Sequence, residues 1–579
     1  MTPLLLQLAR HGDISWLGYH FAGFIAAQSG STLDQPLCLT AARLCEANLE
    51  GSVCIDLAAL ADKPMFATAA VPGAEIPVAP SLAAWRALLL ASDCAGEPGD
   101  RAPMTLEDDL LYLNRFWHYE HEVATAINSL LTRGTVSAEP VFGELFDDAT
   151  RFDVDQQQAV LNAASRPFSV ISGGPGSGKT STVVRILAVL LARQPDCRVA
   201  LAAPTGKAAA RMQDSILQRV GQLGLDDAVI VDIDFEAKTL HRLLGYRGQS
   251  FSHDAEYPLA VDCLIIDEAS MIDLKLMYHL LRALPADARL ILLGDRDQLA
   301  SVAAGNVLGD ITGHGHDIEA GTAAVAGAVS LLRGNYRFAA DSVIGQLAEN
   351  INRGQGEAAI ELLSGNGRGL KWWQTGDTDI IKAEALEWIC QAYLPIFDSS
   401  SAAAALEVFE STRVLCAVNQ GPLGVEAIGR RISATLLARA GLPAAELYRG
   451  LPIMITRNHY ELGLYNGDSG ILWRDESGLY ACFRGEGGIR SISINRLPAY
   501  TPAWAGTVHK SQGSEYDSVL MILPTDPDSE VLSRELLYTA VTRARQNFLL
   551  QASPPVVAAA ISRLTQRHSG LARKLGWPA

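Results

Sequence analysis

The sequence predicts an α/β fold built on parallel sheets, and three stretches carry that prediction. Phe168-Ser-Val-Ile171 is a short apolar run, followed by a glycine-rich loop and then by apolar residues in helical register from Ser181 to Arg193. Arg198-Val-Ala-Leu-Ala-Ala203 repeats this order and runs into a turn at Pro204, Thr205, Gly206 and Lys207 that opens another helix. Cys263-Leu-Ile-Ile266 is a continuous apolar run of the kind buried on both faces of a parallel sheet, and it ends in two carboxylates, Asp267 and Glu268. Strands alternating with helices pair in parallel, and ligands collect beyond the carboxyl ends of such strands.

The loop after the first strand is Ser172, Gly173, Gly174, Pro175, Gly176, Ser177, Gly178, Lys179, Thr180. A glycine, four residues, then Gly-Lys-Thr is the full phosphate-binding pattern, here in its required strand-loop-helix setting. Glycines let backbone amides turn inward around a polyphosphate, and the new helix brings its positive end to the anion. Lys179 is placed for the β and γ phosphates, the Thr180 hydroxyl for Mg²⁺, and Ser181 follows at the loop's end. Asp267 can share that Mg²⁺, and Glu268 can orient or deprotonate an attacking water. A further strand, Leu290 to Gly294, leads into a loop offering Asp295 and Gln298, whose amide can sense the γ-phosphate. Upstream, Gln156 suits an amide that reads an adenine edge, although a solvated run of three glutamines is an equal reading. Many NTP-driven proteins use such a loop, so it does not fix the task.

Bulk properties narrow the class. A chain of 579 residues predicts roughly three to five units of ~100–200 residues. No uncharged apolar run reaches the ~18 residues of a membrane span. The start, Met1-Thr-Pro-Leu, lacks the basic flank of a secretion signal, and a cytoplasmic protein is expected. Nine cysteines form no CxxC pair, so neither a disulfide framework nor a zinc site is expected. A formal charge of -17 argues against nucleic-acid binding by the overall field, so any such contact is local.

Taken in order, residues 1–110 show helical spacing without visible chemistry, and 111–150 continue as a helical linker with an aromatic cluster. Residues 151–330 hold the phosphate loop. Within them Pro204 to Lys207 offers a second anion site, with an ordinary turn as the alternative, and Thr239 and His241 stand at another helix start. Residues 245–260 have the turn content of a small hairpin. Residues 331–579 contain a β-rich insertion over 452–500, where short alternating runs are separated by Asn-Gly and Gly-rich turns. Beyond it Thr507, His509 and Lys510 can give a hydroxyl, a ring and a cation to a nucleic-acid backbone.

Several of these stretches together resemble a known family. Pro-Thr-Gly-Lys-Ala-Ala at 204–209, Asp-Glu-Ala-Ser at 267–270, Gly-Asp-Arg-Asp-Gln-Leu at 294–299, Asn-Tyr-Arg at 335–337, Thr-Val-His-Lys-Ser-Gln-Gly-Ser-Glu at 507–515 and Leu-Tyr-Thr-Ala-Val-Thr-Arg-Ala-Arg at 537–545 are similar, in order and spacing, to superfamily 1 helicases. They look most like the RecD branch, and within it the RecD subunits of RecBCD exonuclease complexes. The resemblance implies two RecA-like domains with ATP and Mg²⁺ between them, a helical N-terminal docking domain and a small SH3-like barrel as the insertion. It assigns Arg337 and Arg543 as arginine fingers and places Glu515 on the nucleotide and coupling path. It implies a pin at 245–260, 5′ to 3′ movement on single-stranded DNA, and RecB- and RecC-like partners in break repair and recombination. A stand-alone helicase of the same branch, or a non-unwinding regulatory subunit, are the alternatives. No nuclease constellation is visible in the chain.

Overall fold

The computed structural model describes residues 3–66, 76–145, 153–220, 236–248, 250–314, 322–334, 336, 342–365, 367–376, 379–475, 478–485 and 488–578. Its centre is a six-stranded parallel sheet. The loop-bearing strand Phe168–Gly173 lies between Val329–Leu332 and Arg289–Gly294, followed outward by Cys263–Ile266, Val199–Ala203 and Ala237–Thr239. One face is covered by helices Lys179–Arg193 and Val154–Ser165, which bury Val183, Leu187, Val160 and Ala164 against Ile171 and Ile265. The other is covered by helices Leu274–Ala283 and Asn114–Thr132. Burial on both faces explains why these strands carry unbroken apolar runs.

A second parallel sheet follows, in the order Leu370–Gln374, Ala544–Ala552, Tyr516–Ile522, Thr412–Cys416, Gly506–Thr507. From it projects a five-stranded antiparallel sheet ordered Gly488–Ser493, Gly478–Gly485, Ser469–Asp475, Pro452–Ile455, Tyr500–Pro502. Its core is continuous with that of the second domain through Ile453, Ile471, Trp504 and Leu520. Tyr246–Arg247 and Ser250–Phe251 pair as a short antiparallel hairpin.

The N-terminal region differs from the all-helical expectation. Beside helices Trp16–Ser29 and Pro36–Leu49 it contains a four-stranded sheet ordered Cys54–Asp56, Leu110–Leu113, Met104–Glu107, Ala95–Gly96. Strands of two to four residues are too short to show a two-residue period, which is why the spacing concealed them. The first part of the expected linker is a core helix: Asn114–Thr132 packs on Leu274–Ala283, with the Tyr119 and Tyr278 rings 4.6 Å apart.

The chain's last segment ties these parts together. After helix Pro554–Ser562 it leaves the second domain and runs over the first, where Arg567 donates to the carbonyl oxygens of Ser301, Ala303 and Gly305. Val53 donates its N–H to the carbonyl of His568 at 2.8 Å, and the Trp577 indole donates to Ile311 at 3.1 Å. Leu571, Leu575 and Trp577 join the core shared by the N-terminal region and the first sheet. Among the described residues, no helix is long and apolar enough to cross a membrane.

Candidate active site

The phosphate loop has the backbone its sequence requires. Gly176 and Gly178 hold φ of 83° and 86°, in the left-handed region where a side chain is strained, and Gly178 precedes helix Lys179–Arg193. The Lys179 ammonium turns back to donate to the carbonyls of Gly173 and Gly174. Gln156 donates to the Ser177 carbonyl at 3.1 Å and accepts from Arg185 at 2.7 Å. Both ends of its amide brace the loop, so reading an adenine edge requires exchanging one of these bonds. Ser181 accepts from Arg219 at 2.8 Å.

Asp267 stands at the carboxyl end of Cys263–Ile266, and its Oδ1 accepts the N–H of Glu268 at 2.8 Å. Burial, then the adjacent Glu268, pushes the Asp267 carboxyl up to about 6, while Lys179 and Arg211 pull the other way. Glu268 itself has φ 53°, an uncommon conformation for a residue with a side chain and of the kind that clusters at active sites. Asp267, Glu268, Thr180 and Lys179 line one cleft. A hydroxyl beside two carboxylates is a donor set of hard oxygens, and it fits Mg²⁺.

The far wall of that cleft comes from the second domain and includes Gly513, Glu515 and Arg543. Arg543, buried at the end of helix Arg534–Val541, donates to Gln298 at 2.8 Å, Ser514 at 3.2 Å and the Thr539 carbonyl at 3.2 Å. Gln298 donates in turn to Asp295 at 2.9 Å. Glu515 pairs with Arg211 of the first domain at 2.8 Å and with Arg545 at 3.3 Å. Arg337 lies outside the described residues; of its neighbours, Tyr336 donates its N–H to the Gly176 carbonyl at 2.8 Å and its side chain lines the cleft.

The candidate DNA residues share a local role. Thr205 accepts the N–H of Ala208 at 3.2 Å, Thr239 that of Arg242 at 3.2 Å, and Thr507 that of Lys510 at 3.4 Å. Each hydroxyl therefore closes the turn that follows it. Pro204 and Gly206 shape the first of these turns, and Gly206 leaves room for Tyr465 of the inserted sheet, whose ring would lie 3.0 Å from an added Cβ. Lys207 is exposed, with its ammonium 5.9 Å from the Tyr516 ring. The 204–207 turn thus faces the second domain, at Tyr516, and the loop that enters its inserted sheet, at Tyr465. The His241 ring packs 5.3 Å from Tyr246 of the hairpin. Burial lowers the pKa of both His241 and His509, so each is disfavoured as a cation, while Lys510 is exposed.

Sequence reasoning passed over Arg185, Arg211, Arg219, Tyr336 and Tyr538. Their signal is geometric: each reaches the loop or its cleft through a contact that no local pattern encodes, and Arg185 does so from the very helix the loop opens.

Comparison with known proteins agrees with this geometry. Residues 10–112 match the family described as "RecBCD enzyme subunit RecD, N-terminal domain", residues 156–304 an AAA domain, and residues 502–550 a UvrD-like helicase C-terminal domain. The RecBCD enzyme subunit RecD of Mycobacterium tuberculosis is 37% identical over 569 residues, covering 96% of this chain and 94% of that one. That of Haemophilus influenzae is 34% identical over 532 residues, covering 82% and 81%. The ATP-dependent RecD2 DNA helicase of Deinococcus radiodurans is 30% identical over 480 residues, covering 80% of this chain and 58% of its own. The chain therefore belongs to the RecD family of RecBCD enzyme subunits, ATP-dependent DNA helicases of superfamily 1.

Proposed function

We propose that this chain is the 5′ to 3′ motor of a RecBCD-type complex with RecB- and RecC-like partners, acting on DNA ends in the cytoplasm. The observation that carries the reading is the cleft itself. Lys179, Asp267, Glu268 and Gln298 come from one domain, and Arg543 and Glu515 from the other. A site split between two bodies changes their separation when its occupant changes.

Lys179 releases its loop carbonyls and binds the β and γ phosphates, with the helix start behind it. Thr180 and Asp267 would hold Mg²⁺, which neutralises phosphate charge when bound. Glu268 orients the water and takes its proton. Arg543, with Arg337 by resemblance, stabilises charge spreading onto the transferred phosphoryl oxygens. Loss of phosphate then frees the second domain, and the segments at 204–207 and 239–241 of the first domain shift together relative to that at 507–510 on a single strand. The hairpin at 246–251 is proposed as the pin, and the five-stranded insertion as the SH3-like module.

Unwinding of 5′-tailed and 3′-tailed duplexes tests this, with Lys179→Ala as control. Activity with a 3′ tail alone, or activity that survives Lys179→Ala, overturns the motor reading. For partner docking we favour helix Trp16–Ser29, where Trp16, Leu17 and Phe24 are 51%, 59% and 47% exposed. Trp16→Glu with Phe24→Glu is expected to abolish co-purification with the other subunits while sparing DNA-stimulated ATPase. Unchanged co-purification removes that helix from the interface.

A further inference from the structure

Behind the phosphate loop, three elements meet at one carboxylate. Asp295 is buried, at 1% exposure, directly after strand Arg289–Gly294. Its Oδ1 accepts the N–H of Asp297 at 3.1 Å. Its Oδ2 accepts two donors: the Gln298 amide at 2.9 Å and the Tyr538 hydroxyl at 3.1 Å. Tyr538 belongs to the second domain, on helix Arg534–Val541, and its side chain is also buried. The same hydroxyl lies so near the phosphate loop that a Cβ added at Gly174 would stand 2.8 Å from it.

The polarity of the Gln298 amide follows from this carboxylate. An ionised Asp offers acceptors alone, so the amide must present its NH₂ to Asp295. Its oxygen is then left facing Arg543, which donates to it at 2.8 Å. Turned by half a revolution, the amide would set oxygen against carboxylate and NH₂ against guanidinium, losing both bonds. Burial, and next to it Asp297, raises the Asp295 pKa, so a donor to Oδ2 supports the charged form. One of its two Oδ2 donors, Tyr538, arrives with the second domain, as does Thr539, whose Oγ1 accepts the Leu299 N–H at 3.0 Å.

We infer that Tyr538 is a positioning residue for ATP hydrolysis: by docking on Asp295 when the domains close, it fixes the Gln298 amide and thereby aims Arg543 at the transferred phosphate. The cleft then completes its catalytic set only in the closed arrangement, and closure is registered at the rear of the phosphate loop as well as at its mouth. This rests on Arg543 being the transition-state arginine.

The test is steady-state ATPase of the full chain with saturating single-stranded DNA, resolved into kcat and KM for ATP. Tyr538→Phe keeps the ring and removes the hydroxyl; it is expected to lower kcat about 10-fold with KM within about 2-fold, the pattern of an interaction made in the transition state. In the Asp295→Asn background, and again in the Arg543→Ala background, Tyr538→Phe is expected to have no further effect on kcat. A kcat within about 2-fold of wild type for Tyr538→Phe, or effects that multiply in either background, overturns the inference. The Arg543→Ala cycle remains readable if Asp295→Asn does not fold. If Arg543→Ala itself leaves kcat intact, it is the arginine-finger reading that fails; if Arg543→Ala collapses kcat and Tyr538→Phe does not, the positioning role alone fails.

Discussion

Glu120 and Lys574 form an ion pair at 2.8 Å across 454 residues of chain. Glu120 is fully buried and also accepts from the Tyr112 hydroxyl at 3.0 Å and from Ser569 at 2.8 Å. Lys574 reaches Glu107 as well, at 2.6 Å. Burial works against the Lys574 ammonium, but the two glutamates outweigh it and its pKa is raised. Removing one member of such a pair leaves the other buried and uncompensated, at a cost of ~3 kcal/mol or more. Lys574→Met is therefore expected to lower the denaturant midpoint of the first unfolding transition and to open the N-terminal region to protease. Glu120→Gln with Lys574→Met should recover much of the loss.

Glu268→Gln keeps the size and removes the base. ATP binding should persist, measured by fluorescent-nucleotide titration, while kcat falls by roughly 10²–10⁴. A variant that binds and does not turn over would also hold the cleft closed, and should retain single-stranded DNA in a state set by bound ATP.

Arg543→Ala is expected to reduce kcat by about 10³ or more, with smaller change in KM. Arg543→Lys should not restore it, because the donors of an ammonium radiate from one nitrogen and cannot span the spread over which Nη2, Nη1 and Nε of the planar guanidinium meet Gln298, Ser514 and Thr539.

Asp267 gives a pH signature in the metal-free chain. Burial pushes its folded pKa up to about 6, above the ordinary 3.8 of the unfolded chain, so between these values the native state binds more protons than the unfolded one. Its contribution is favourable below that window and is lost as pH rises through about 6. At pH 7.5 in chelator, Asp267→Asn is thus expected to stabilise the chain, by roughly 3 kcal/mol as an upper bound. The gain should shrink toward pH 5. Adding Mg²⁺ should raise the Tm of the wild type and not of Asp267→Asn.

Much of the candidate site was legible in the sequence because most of its polar groups follow strand ends, where a few consecutive residues carry both the apolar run and the polar group. Lys179, Asp267, Glu268 and Gln298 belong to such stretches, Arg543 follows helix Arg534–Val541 instead, and all five line one cleft. The braces behind them were not legible. Arg211 pairs with Glu515, and Tyr538 with Asp295, across separations of hundreds of residues that no local period encodes. Other readings were local but ambiguous. A threonine at a turn suits a backbone-binding hydroxyl, and the structure shows Thr205, Thr239 and Thr507 each capping its own turn, a role the same residue type fills equally well. In the N-terminal region the sheet was missed because its strands are too short to declare themselves.

The returning C-terminal segment also sets an order of events at the ribosome. The N-terminal region emerges first, with Cys54, Tyr112 and Glu120 prepared to be buried. The residues that cover them, Ser569 to Trp577, are made much later: Ser569 follows Glu120 by 449 residues. Until they emerge, the growing chain therefore carries an open seam with an acidic group inside it. A chain stopped before Ser569 would hold both sheets and the whole nucleotide cleft, yet leave that seam exposed to chaperones and proteases.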